Sequence, residues 1–381
     1  MPPEIALIWS IWEGWPAPRT TGYSINPLRT TQAMPLTRFF DLGKILQRYP
    51  AEYRPDPAQP PQSPSGGFSG AAIWKIEALA GPCALRATRT SEVDRFRLAE
   101  LHRLIVHVRA GGFTQMPAPV ATSAGETFFE SDGCIWQLEP WMPGTADYAA
   151  HPSPARLAAA LQCLARWHVA AARFVPRKSG SEWFSTAAAL PSPGLARRLG
   201  QIANWDVRAC AQVRNQLGSF AWHEFASLGR DILDQFQKLA PSITARLKVG
   251  MHAAVPLQPC LRDVWHDHVL FTGDDVTGLI DPHVARSDNV ATDLARLLGS
   301  LAADDRHAWD AGLQAYQLVR PLSFDELALV ELFDQTSVLL AGMTWLEWCC
   351  LQGRSFADRD RVVTRLQIIL ARMKHLATKR L

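Results

Sequence analysis

Two aspartates and two histidines, Asp263, Asp267, His266 and His268, stand just before the apolar run Val269 to Phe271 in the stretch "CLRDVWHDHVLFTGDDVTGLID", and Asp281 closes it. The segment "HVLFTGDDVTGLID" reads as strand, tight turn and strand. Such a hairpin sets Asp263 and His268 at one end and brings Asp281 back beside them. Phosphoryl transfer asks little covalent help from a protein. It needs a carboxylate facing the acceptor hydroxyl, and separate oxygen or nitrogen ligands for a Mg²⁺ ion on the nucleotide phosphates. Asp263, with His268 five residues on and Asp281 after the hairpin, matches that layout. A second chemistry uses the same residues. His266-Asp267-His268 is an H-x-H triplet, and with His283 and Asp281 it offers ligands for a transition metal and hydrolysis, provided the triplet is extended. In the plainest reading, His266 and His283 are loop residues satisfied by hydrogen bonds.

The elements that must position these residues follow from patterning. A 381-residue chain that is 48% hydrophobic and 20% charged buries at least one large core. The net charge of +3 is too small to point to nucleic acid, and no dense Lys/Arg block appears. The seven scattered cysteines lack a CxxC pair, which suits reduced thiols in a cytoplasmic protein. The N-terminal apolar patch follows Glu4 and is cut by Glu13, so neither an export signal nor a membrane span is expected. Residues 1–34 are rich in Pro and Thr, and the segment is expected to be dispensable, with Met34 an alternative start. Residues 1–59 form an extension with one helix, "LTRFFDLGKILQRY", and a Pro-rich linker.

"FSGAAIWKIEAL" and "CALRATR" then read as a hairpin, "SEVDRFRLAELHRLIVHVRAGG" as a helix ending at Gly111-Gly112, and "ETFFES" and "CIWQLEPW" as strands around the Asp132-Gly133 turn. Pro143 and Gly144 end this first lobe, 60–143. The remainder, 144–381, is mostly helical: a helix from Ser153, then 219–248, 290–303, 306–318, 323–350 and 355–377. In the last helix Val362, Leu366, Ile369, Met373 and Leu376 form an apolar stripe, and Arg359, Arg361, Arg365, Arg372 and Lys374 give it a basic face expected to meet solvent. Most of the 14 tryptophans suit packing, while Trp265 lies inside the charged segment itself.

The form x-R-D-x-x-x-x-H around Asp263 resembles the catalytic loop H-R-D-x-x-x-x-N of protein kinases and its counterpart H-G-D-x-x-x-x-N in aminoglycoside phosphotransferases. Asp281 stands where their second metal-binding aspartate falls, and Asp293-Leu294-Ala295 where the small-molecule branch carries its D-L-A segment. "SGGFSG" (65–70), Arg86 in "CALRATR", Glu100, "QLEPWMPG" and "LARWH" at His168 are similar to that family's further landmarks, in order, over roughly residues 60–300. Leu261, Arg262 and His268 depart from the pattern. The resemblance implies an α+β, two-lobed, protein-kinase-like fold, with a small β-rich N-lobe and a larger, mainly α C-lobe closing on ATP. It implies transfer of the γ-phosphate to a hydroxyl of a small molecule, with Asp263 as catalytic base and His268 and Asp281 as metal ligands. Gly66, Gly67, Ser69, Gly70 and Arg86, steadied by Glu100, would meet the phosphates, and Glu139 and Trp141 the adenine. Mg²⁺ is the implied metal, and the imidazole at position 268 would either weaken its binding or shift the preference to Mn²⁺. The competing reading is a pseudokinase that keeps the scaffold and binds nucleotide or a partner.

Overall fold

A computed structural model describes residues 40–55, 59–62, 71–356 and 358–378, and the chain divides into two units, one ending at Met142 and the other starting at Pro143. The glycine-rich residues Gly66, Gly67, Ser69 and Gly70 lie outside the described residues.

In the smaller unit four antiparallel strands are ordered β1-β2-β4-β3: β1 (Ala72–Ala78), β2 (Gly81–Arg89), β3 (Phe129–Ser131) and β4 (Cys134–Pro140). The turn between β3 and β4 places Asp132 at φ 54° and Gly133 at φ 75°. Two left-handed residues in succession are what an Asp-Gly hairpin signal supplies, and they match the twist of the flanking strands. One face of the sheet is built on Ile76, Leu85, Trp136 and Leu138, fully buried. Helix α1 (Leu42–Leu46) inserts Ile45 and Leu46 into this same core, followed by Tyr49, so the helix of the N-terminal extension is part of the core of the smaller unit. Between β2 and β3 runs α2 (Arg95–Ala110), started by Asp94, whose carboxylate accepts from the amides of Phe96 and Arg97.

The larger unit opens with α3 (Pro154–Ala171), which has Ser153 as N-cap and a proline at its first turn. It continues through β5 (Ala187–Leu190), α4 (Pro193–Ala203), α5 (Val207–Gly218), α6 (His223–Gly250) and β6 (Val255–Cys260). Next come β7 (Val269–Thr272), β8 (Asp275–Leu279), β9 (Arg286–Asp288), α7 (Ala291–Ala302), α8 (Arg306–Gln317), α9 (Phe324–Leu346) and α10 (Arg359–Thr378). Strand β6 is paired on both edges, by β5 and by β9, while β7 and β8 form their own hairpin. Helices α4 and α5, with β5, β6 and β9, were not anticipated from the sequence.

Helix α9 continues into a π-turn, Glu347–Leu351, and this is the one stretch among the described residues long and apolar enough to cross a membrane. Yet 78% of its apolar window is buried. It packs against α6, α7 and α10, which accounts for its apolar character all round. The last helix differs from expectation. Arg359, Arg361 and Lys374 are exposed, but Arg365 and Arg372 are buried, so the basic face is split between solvent and interior.

Candidate active site

The loop after β6 is fixed by a single carboxylate. Asp293, in the first turn of α7 and fully buried, accepts the amide of Arg262 at 2.6 Å on Oδ1 and the amide of Leu261 at 2.7 Å on Oδ2. Its Oδ2 also meets His168 Nε2 at 3.0 Å, and His168 Nδ1 lies 2.8 Å from the Tyr316 hydroxyl. Burial pushes the His168 pKa below its ordinary value, so the ring is neutral: Nε2–H donates to Asp293 and Nδ1 accepts from Tyr316. Arg262 sits at φ 65°. That left-handed conformation is costly for a side chain with a Cβ, and the two amide bonds to Asp293 hold it in place. His168, Cys260 and Asp293 also form a cluster close enough to share an ion, but the amides and the imidazole occupy both Asp293 oxygens.

Asp263 follows directly, with its side chain 17% exposed, and its Oδ1 is bound by Arg296 Nη2 from α7. A 3-10 turn, His266–His268, then leads into β7. This turn separates the two histidines. His266 is buried with its ring centroid 4.6 Å from that of Trp265, whereas His268 is only partly buried and meets the same indole through its nitrogen. The extended H-x-H pair that a metallohydrolase would use is absent from this segment.

His268 is held at both nitrogens. Nδ1 lies 2.7 Å from the Asp263 carbonyl, and Nε2 lies 2.9 Å from the indole nitrogen of Trp265. Because a carbonyl only accepts and an indole N–H only donates, the ring is the neutral Nδ1–H tautomer with its Nε2 lone pair turned to Trp265. The β7–β8 hairpin, with Val269 opposite Leu279, returns the chain, and the Ile280 amide donates to the His268 carbonyl at 3.0 Å. Asp281 then adopts φ 59°, and its Oδ2 stands 3.8 Å from His268 Nε2. His268 and Asp281 thus lie side by side at one end of the hairpin, next to the main chain of Asp263, whose carboxylate is bound by Arg296.

In the smaller unit Arg86 lies on β2 in register with Gln137 of β4, and its side chain is buried. Paired residues on antiparallel strands share a face. Helix α2 covers that face, since His102 Nε2 bonds Gln137 Oε1 at 3.0 Å. Glu100 of α2 is buried and accepts two bonds from Arg103 one turn on, at 2.9 and 2.8 Å. Glu139 stands opposite Ala84, and the Trp141 amide donates to the Pro82 carbonyl at 2.9 Å, with the Lys75 ammonium 5.6 Å from the Trp141 ring.

The sequence profile of the phosphotransferase enzyme family, abbreviated APH, matches residues 62–332. The chain belongs to this family. Among curated relatives, homoserine kinase of Rhizobium etli is 36% identical over 92 residues, 23% of this chain and 29% of that enzyme. The aligned part therefore spans less than a third of that relative. Among solved structures, an aminoglycoside phosphotransferase of Alicyclobacillus acidocaldarius superposes with a TM-score of 0.55 at 18% identity, covering 87% of this chain and 95% of that one. A spectinomycin phosphotransferase in complex with ADP and spectinomycin superposes at 0.57 and 12% identity, covering 87% and 96%. The chain thus has the α+β, kinase-like fold of these proteins, with a small antiparallel sheet in one unit and a larger, mainly helical second unit.

Three positions carry site geometry that sequence reasoning did not assign. Asp293 was noted only for its place in a D-L-A segment, yet it is the anchor of the loop. Arg296, three residues further along α7, binds Asp263, and Trp265 holds His268. A charged residue one helical turn after a helix-opening aspartate was the available signal for Arg296.

Proposed function

We propose that this protein is an ATP-dependent phosphotransferase that moves the γ-phosphate to a hydroxyl group of a small molecule. The observation that carries the reading is the meeting of Asp263, His268 and Asp281 on a loop whose backbone is clamped by Asp293. Asp263 orients the acceptor hydroxyl and accepts its proton. The 3.8 Å between His268 Nε2 and Asp281 Oδ2 is wider than the ~3 Å between neighbouring donors of one octahedral ion, so the pair would draw together by about 0.8 Å to share it. Bound there, Mg²⁺, or Mn²⁺ with its greater tolerance of imidazole, would neutralise charge on the nucleotide phosphates. Arg86, steadied by Glu100, and the amides of Gly66, Gly67, Ser69 and Gly70 act on phosphate oxygens, and Glu139 and Trp141 on adenine. The acceptor hydroxyl of homoserine, suggested by the curated relatives, is the first to test. A cytoplasmic location accords with seven buried cysteines that form no disulfide.

Replacing Asp263 by Asn tests the role of the base. ADP formation with ATP, Mg²⁺ or Mn²⁺ and a panel of amino alcohols should fall by about 10²- to 10⁴-fold, while ATP-induced thermal stabilisation persists. Turnover equal to wild type would exclude Asp263 as the base. A second reading, the pseudokinase, is favoured by one feature: Arg296 and Trp265 already occupy Asp263 and His268. Nucleotide binding without ADP formation across the panel would select it.

A further inference from the structure

The larger unit holds a cavity of about 450 Å³ whose lining includes no residue of 260–281 and none of α7. Its wall comes from three stretches of chain. The turn between α5 and α6 supplies Phe220 and Trp222, the π-turn after α9 supplies Cys349 and Cys350, and the segment leading into α10 supplies Arg354 and Arg359. Gly353, at φ 63°, ends the π-turn, and the Arg354 amide donates back to the Trp348 carbonyl at 2.8 Å, which fixes the place of Arg354 at the end of the helix.

Both arginines stand over tryptophans. The Arg354 guanidinium lies 4.8 Å from the Trp348 ring and that of Arg359 5.2 Å from the Trp222 ring. Such stacking occupies a face of the guanidinium and leaves its N–H edge for an acceptor. Among the described residues neither edge has a hydrogen bond or an ion pair, and no carboxylate lines the cavity. Both side chains are exposed, so water serves those N–H groups until an anion replaces it. Glu347 feels the Arg354 charge, but it lies outside the lining and its Oε1 already accepts from Gln352 at 3.3 Å. The start of α6 adds to the positive potential: Trp222 is its N-cap, no side chain caps it, and the exposed Glu224 is the acid of its first turn.

The rest of the wall is neutral and largely apolar. Phe220 and Trp222 pack on Phe225 at 5.3 and 5.2 Å, and Phe356 packs on Trp345 and Trp348 at 5.0 and 6.1 Å, so the core beneath holds these rings in place. Burial pushes the thiols of Cys349 and Cys350 up to about 12 and about 11, and they add no charge. We propose that this cavity binds a small anion with a planar apolar body, an aromatic carboxylate or phosphate ester, with its charged end on Arg354 and Arg359 and its ring against Phe220, Trp222 and Phe356. The arginines select the sign, the rings select the body, and the volume is that of a small-molecule site. The site does not depend on the phosphotransferase reading, because it shares no residue with the segment of Asp263.

Quenching of tryptophan fluorescence, checked by calorimetry at fixed ionic strength, tests the site with phenylacetate, phenyl phosphate, neutral phenylacetamide, and the ringless acetate and inorganic phosphate. At least one ring-bearing anion should bind wild type about tenfold more tightly than both phenylacetamide and the ringless anion with the same charged group. Arg354→Met and Arg359→Met should each remove that preference for charge, whereas Arg361→Met, at an exposed arginine outside the lining, should leave it unchanged. Ala221→Trp, which fills the cavity from an exposed position on its wall, should abolish binding. All four positions are exposed, so the variants should unfold in urea close to wild type, which separates lost binding from lost fold. Binding by phenylacetate alone would assign the charged end as carboxylate, and by phenyl phosphate alone as phosphate. The site is overturned by no binding of either, by equal binding of anion and amide, or by equal binding with and without the ring. Undiminished binding in Ala221→Trp overturns it as well, as does a loss in Arg361→Met equal to that in the lining variants. A lower urea midpoint in Arg354→Met and Arg359→Met with an unchanged preference would make these arginines fasteners of the turn, and no site would remain.

Discussion

Replacing Asp293 by Asn is expected to cost far more than its conservative appearance suggests. The carboxylate is fully buried and accepts from three donors: the amides of Leu261 and Arg262 and the imidazole of His168. An asparagine keeps one acceptor oxygen and turns an NH₂ toward the donors on the other side, so at least one donor faces a donor. Hydrogen bonds to a charged group contribute about 1.5–3 kcal/mol each, and an unmade buried bond costs the desolvation of both partners. Loss of one bond and weakening of the other two therefore amounts to about 3–6 kcal/mol, a large share of the ~5–15 kcal/mol that a domain possesses. The loop should suffer first, because Arg262 at φ 65° then has little to hold it. Urea unfolding followed by tryptophan fluorescence gives the total, and amide exchange at Leu261 and Arg262 gives the local part. A loss below about 1 kcal/mol with undiminished protection of those two amides would refute the idea that Asp293 anchors the loop.

Three further outcomes follow from the same geometry. Trp265→Phe removes the indole N–H that occupies His268 Nε2, and Mn²⁺ affinity, read by electron paramagnetic resonance without nucleotide turnover, should rise about 2- to 10-fold, the equivalent of one hydrogen bond; unchanged or weaker affinity would contradict competition for that lone pair. Arg372→Met strands Asp304 and Asp334, the latter buried, and should cost about 3–5 kcal/mol in urea. Burial brings His102 from 6.5 down to about 4, so the unfolded chain takes up a proton at higher pH than the fold does. Its contribution is complete above pH 6.5 and is lost as pH falls toward 4, about 3 kcal/mol in all by linkage, and His102→Gln should flatten the stability profile across that window.

The parts of this molecule that could be read from its sequence are those in which local chemistry decides local structure. Asp132-Gly133 can supply two left-handed residues cheaply, Ser153-Pro154 starts a helix, and the spacing of Asp263, His268 and Asp281 around a short hairpin leaves few ways to arrange them. Strand β6 shows the opposite case. Pro256 and Pro259 withhold two amides in six residues, and the segment is a strand because β5 and β9 flank it from distant parts of the chain. The split of the α10 arginines is a tertiary fact of the same kind. Nothing in "RDRVVTRLQIILARMKH" distinguishes Arg365 and Arg372 from the exposed Arg359 and Arg361. Their fates are set by α7, α9 and the turn before β7, which reach α10 only after the chain has folded. Burial of Arg372 is offset by two aspartates that the fold brings to it, whereas Arg365 meets the Trp345 ring at 5.7 Å and its Nε and Nη2 have no hydrogen-bond partner among the described residues.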